Sequence, residues 1–141
     1  LPLLDGGHTH AGLLYVDNAV HALIACLEHP ATIGEVYNLR DDFAVTWREY
    51  IAAFAAHLGK HAPTLSLPSA WALRAAHLLE GAFGSLHIPA HPVFTRHAIL
   101  VLCRDQGYSI DKAKRDLGFT TAISFPEGLE RSIEWYRHRA S

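Results

Sequence analysis

Many residues here could do chemistry, but their spacing rarely lets them act together. Eleven of the 141 residues are histidine, a density that raises the question of a metal. His8 and His10 are two apart in a turn. His57 and His61 have i,i+4 spacing, but Gly59 ends the helix between them. His87 and His91 repeat that spacing, with Pro89 and Pro92 excluding the helix that would align them. No H-E-x-x-H run is present, so scattered surface or hydrogen-bonded histidines are expected and no metal site is assigned. Asp41-Asp42 has the form of a carboxylate pair for acid–base work. In a loop between a strand and a helix, such neighbours are expected to be solvated. A G-x-S-x-G nucleophile turn, a Walker loop and G-x-G-x-x-G are all absent. No residue of this chain is assigned a catalytic role.

Bulk properties bound the class. A length of 141 residues suits one domain with a real core. Half the residues are apolar and 18% are charged, a balance expected of a folded domain. The net charge of -2 leaves no basic excess for phosphate backbones, so no nucleic-acid partner is expected. Cys26 and Cys103 stand far apart without a C-x-x-C pair and read as two buried thiols in a reducing compartment. No signal peptide is visible, and the chain begins LPLLDGG with no Met anywhere, as expected of a piece of a longer chain.

The elements that must position these residues are mostly helical. Leu1–Leu4 is a short apolar start before the turn Asp5-Gly6-Gly7. Asp17 is the expected N-cap of a helix that carries Val20, Leu23, Ile24 and Leu27 at helical spacing and ends before Pro30. GEVYNL (34–39) reads as a strand. Thr46-Trp47-Arg48-Glu49 has the form of a capping box for a helix closed by Gly59. An extended segment at 64–67 precedes a helix from Pro68 to about Gly84. Residues 93–103 are expected to be helical, as are 111–117, closed by Gly118. Ser124-Phe125-Pro126-Glu127 reads as a second capping box, opening a last helix to about Arg139. The short strands cannot form a full sheet of their own.

The helix from Pro68 is apolar nearly all round, with only a narrow stripe of Arg74, His77 and Glu80. Such a helix needs cover on most sides, and a central core helix is the leading expectation. On that reading Leu78→Ala costs about 2–5 kcal/mol. The alternatives are a wall or lid for an apolar ligand, or a contact face for a partner or membrane surface. The helix is too short to cross a bilayer, which takes about 20 residues.

In order along the chain, LLYVDNAVHAL, GEVYNL, VTWREYIAAFAAHLG, VFTRHAILVL, YSIDKAKRDLGF and SFPEGLERSIEWYR resemble the C-terminal half of an extended short-chain dehydrogenase/reductase. This is the NAD-dependent epimerase/dehydratase superfamily. The resemblance spans essentially the whole chain. The last three motifs, with the apolar helix before them, look most like the 3β-hydroxysteroid and sterol dehydrogenase branch. In that superfamily the N-terminal half carries the glycine-rich dinucleotide loop and a Tyr-x-x-x-Lys pair. Neither motif matches here. Tyr108 and Lys112 have the spacing but sit in the helix-entry motif, where the family pattern places no catalysis.

The resemblance implies an α/β fold class. The chain would be the mostly helical C-terminal portion of a Rossmann-type enzyme, with two or three short strands. Residues 1–45 would supply late strand and helix elements of the cofactor-sheet domain, with GEVYNL on a sheet edge and the Asp17 helix over the sheet. Residues 46–141 would form a mostly helical substrate-side subdomain. Substrate contact falls to Tyr15, Trp71, Phe94 and Arg96. Members acting on nucleotide-sugars carry an Arg where this chain has Ala11, so a sterol or other apolar hydroxy or keto substrate is implied. NAD or NADP is expected in the intact parent and none on this chain alone. The expected partners are the N-terminal cofactor-binding half, the apolar substrate and, where that half is missing, further copies of the chain. The expected compartment is the cytoplasm, with membrane association open beside it. A free-standing helical interaction module is the alternative reading.

Overall fold

The computed structural model of the chain describes residues 2–86 and 95–140. In chain order the elements are β1 (Leu3–Leu4), α1 (Val16–Glu28), α2 (Trp47–His57), β2 (Ser66–Leu67), α3 (Ser69–Ser85), α4 (Arg96–Cys103), α5 (Asp111–Leu117) and α6 (Phe125–Ala140). The chain packs as two compact units, each made of two stretches. The first joins 1–11 to 46–106, and the second joins 12–45 to 107–141. Packing groups the chain in this interleaved way, a different criterion from a division of roles at 45/46.

In the first unit β1 and β2 pair in parallel, with Leu3 opposite Ser66 and Leu4 opposite Leu67. The turn after β1 holds Asp5, Gly6 and Gly7 at positive φ, a conformation that the two glycines adopt without a Cβ clash. The Asp5 carboxylate then accepts from the Ser69 N–H at 2.9 Å and so satisfies a free donor in the first turn of α3. Pro68 is the N-cap of α3 rather than a residue of its first turn. On α2 the expected capping box is present: the Glu49 N–H donates to Thr46 Oγ1 at 3.3 Å, and the Thr46 N–H donates to Glu49 Oε2 at 2.8 Å. Buried Leu4, Ala76 and Ile99 form the core, with Ala72, Leu73, Leu102 and Cys103 partly buried against it.

The core of the first unit corrects the central-core expectation for α3. Only its Ala72–Leu73–Ala76 side packs, while Trp71 and Leu78 on the other side are 66% and 72% exposed.

The second unit packs Ala22 of α1 against Ile110, Ala113, Leu117 and Phe119. α5 runs over the expected residues, and Gly118 closes it at φ 62. Two expectations are corrected here. Residues 35–40, most of GEVYNL, form no strand; Val36 is 80% exposed. A strand exists only through a neighbour's backbone groups, and among the described residues this segment has none. Tyr15, not Asp17, is the N-cap of α1; Asp17 lies in the first turn, where its carboxylate pairs with Arg131 at 3.2 Å. The stripe Val20, Leu23, Ile24 and Leu27 is exposed, and α1 instead buries Asn18 and Ala22. No described helix is long and apolar enough to cross a membrane.

Candidate functional site

In the second unit the rim before α1 is built around a buried carboxylate. Asp41 is 1% exposed and Asn18 is fully buried. The Tyr15 N–H donates to Asp41 Oδ2 at 2.7 Å, and Asn18 Nδ2 donates to Asp41 Oδ1 at 2.7 Å. Asn18 also grips the backbone of Ile123 twice, donating to its carbonyl at 3.0 Å and accepting from its N–H at 2.9 Å. The Asp41 N–H donates to the Leu13 carbonyl at 2.8 Å. Burial pushes the Asp41 carboxyl up, and the hydrogen bonds from Tyr15 and Asn18 pull it back. The expectation that Asp41-Asp42 is solvated therefore fails for Asp41, which together with Asn18 fastens three chain segments.

Tyr15 is half-buried in this arrangement. Its ring lies so close to α6 that a Cβ at Gly128 would come within 2.8 Å of Cδ2. Beside it, Asp42 pairs with Lys114, and its N–H donates to Thr121 Oγ1 at 2.7 Å. Asp42, Lys114 and Thr121 line an open cleft with Gly118, Phe119 and Thr120. Tyr108 and Lys112 do not act as a couple. The Tyr108 hydroxyl donates to the Leu39 carbonyl at 3.0 Å, while Lys112 donates to Glu35 at 2.5 Å and lies over the Tyr37 ring.

Trp71 and Arg96 belong to the first unit. Trp71 carries the Arg74 guanidinium 5.3 Å from its ring centroid. The Arg96 backbone N–H and Nε both donate to Glu80, at 2.8 and 2.5 Å, and hold that carboxyl below its usual range. Glu80 sits nine residues after Trp71 on α3, about 13 Å along the axis, so Arg96, at the start of α4, meets α3 well away from Trp71. Phe94 lies outside the described residues. Tyr15 belongs to the second unit.

Among the described residues, no group of three His, Cys, Asp or Glu is placed to hold a metal. His10 Nδ1 instead pairs with Asp105 at 2.9 Å. Both cysteines are free, and burial pushes the Cys103 thiol up.

No protein-family model matches the chain. A 3β-hydroxysteroid-dehydrogenase/decarboxylase (isoform 1) of Arabidopsis thaliana is 25% identical over 96% of this chain, and the match covers 33% of that protein. A 2-alkyl-3-oxoalkanoate reductase of Shewanella oneidensis is 28% identical over 84% of this chain, covering 32% of that protein. The chain is a relative of the extended short-chain dehydrogenase/reductases and matches their C-terminal portion. The crystal structure of gox2253 superposes with a TM-score of 0.66 over 93% of this chain and 38% of that one. Its 23% identity makes this a likeness of fold. The chain spans about a third of the length of the curated relatives it matches. For a short-chain dehydrogenase relative, the residue missed by sequence reasoning is Asp41. The one signal for it was position: it follows an apolar segment and could be drawn inside by donors at the start of α1.

Proposed function

We propose that this chain is the substrate-side C-terminal portion of an NAD(P)-dependent oxidoreductase acting on a sterol-like or other apolar hydroxy or keto substrate. Residues 1–45 complete the cofactor-sheet domain in this reading, and 46–141 form the substrate side. The observation that carries the proposal is the match of 96% of this chain to one third of a 3β-hydroxysteroid-dehydrogenase/decarboxylase. Ala11 supports an uncharged substrate: it is 7% exposed and leaves little room for the Arg that would meet a diphosphate. Tyr15, Trp71, Phe94 and Arg96 are proposed to meet the substrate, with Arg96 held in place by Glu80. The exposed stripe of α1 and the exposed Val36, in a segment without a strand partner among the described residues, support a neighbour there, here the N-terminal cofactor-binding half. NAD(P) binds on that half, where a glycine loop brings a helix N-terminus to the pyrophosphate.

The chain alone is accordingly inactive. Calorimetric titration with NADH and NADPH tests this, and no saturable heat is expected. A micromolar dissociation constant for either cofactor would overturn the division of labour.

A further inference from the structure

Residues 35–40 have no ladder, yet over 36–39 their burial alternates as a strand's does. Tyr37 and Leu39 are partly buried against the core around Ala22 and Ile110, while Val36 and Asn38 are exposed. Two side chains stand in for a neighbouring strand. Lys112, in the first turn of α5, donates from Nζ to the Val36 carbonyl at 3.0 Å and to Glu35 Oε2 at 2.5 Å. Its ammonium also lies 4.7 Å from the Tyr37 ring centroid.

Tyr108, four residues earlier, donates its hydroxyl to the Leu39 carbonyl at 3.0 Å, and Arg40 Nε returns to the Tyr108 carbonyl at 2.9 Å. The Tyr-x-x-x-Lys spacing that forms no catalytic couple thus grips one segment near both its ends. Both grips on the segment's backbone are on carbonyls. Among the described residues, the backbone N–H groups of 36–40 meet no acceptor.

We propose that Tyr108 and Lys112 are positioning residues that hold 35–40 ready to add as a strand to the sheet edge of the N-terminal cofactor-binding half. That occupant comes from the proposed function, on which this reading rests. The chain spans about a third of the curated relatives it matches, so most of a relative's length lies outside it. A sheet edge supplies carbonyl acceptors for the free N–H groups, and docking there gives cover to Val36, which is 80% exposed. Because the segment is already held, docking loses less conformational entropy than it would from a free coil. A second copy of the chain fits less well, because its own segment offers an edge whose Val36 and Leu39 carbonyls are already engaged.

Co-expression of the tagged chain with the N-terminal half, followed by affinity capture, is the test, with NMR relaxation of the chain's own backbone amides beside it. The parent chain should retain the half. Lys112→Met and Tyr108→Phe should each retain about tenfold less, and Lys112→Arg should restore it. Order parameters at 36–40 should be about 0.85 in the parent and fall below about 0.6 in Lys112→Met. Both side chains are partly exposed, so circular dichroism and melting of the variants should match the parent. Equal retention by parent and variants, or equal order at 36–40 in the parent and Lys112→Met, would overturn the holding role and leave the proposed function standing. No retention by the parent would overturn both. A doubled solution mass that Val36→Glu abolishes, with no half retained, would replace the proposed occupant with a second copy.

Discussion

In the unit built from α1, α5 and α6, the carboxylate of Asp41 and the amide of Asn18 sit inside the protein. On α3 of the other unit, Trp71 and Leu78 face solvent. Residue type alone would have assigned both pairs the opposite way. The difference is one of partners. Asp41 and Asn18 each find matched backbone or side-chain groups within 3.0 Å, so their burial leaves little unsatisfied. Among the described residues of its own unit, nothing covers the outer side of α3, and its apolar carbon stays exposed. In this chain the buried polar pair ties segments together, whereas the exposed apolar pair is left uncovered by its own unit.

The largest expected effect comes from breaking the polar junction. Asp41→Ala would leave the Tyr15 N–H without its acceptor and strip one acceptor from Asn18. Urea denaturation should register a loss of about 2–4 kcal/mol. A loss below about 0.5 kcal/mol would mean that water readily replaces the carboxylate and that the rim is loosely held. Leu78→Ala sits at the other end of the scale. Its 72% exposure predicts a change within about 0.5 kcal/mol by the same measurement. A loss of about 2 kcal/mol or more would restore the core reading of α3 and erase the contrast between the two regions.

Local signals were read well from sequence because their physics is local. The Thr46–Glu49 box satisfies two helix donors within one turn, and Gly118 ends α5 in a left-handed conformation. Elements that depend on distant neighbours were read less well. GEVYNL has strand-like composition, but 35–40 lacks a paired neighbour among the described residues. Asp17 is a good N-cap by type, yet the chain enters α1 earlier, at Tyr15, where the backbone N–H is taken by Asp41. The same dependence hid Asp41, whose donors come from residues 15 and 18. At the candidate site, Arg96 could be picked out by its place in VFTRH, but its engagement with Glu80 required the antiparallel packing of α3 and α4.

The central claim is that the surface formed by α1 and the segment at Val36 belongs against a missing cofactor-binding half. On α1 Leu27 is 87% exposed, with Val20 and Ile24 of the same helix also exposed, and Val36 is 80% exposed. Size-exclusion chromatography with light scattering, joined to intact-mass spectrometry of the purified chain, tests this most directly. The account predicts oligomers that Leu27→Glu or Val36→Glu disperses, or a second polypeptide that co-purifies and fills the surface. A clean monomer with no second polypeptide would contradict it.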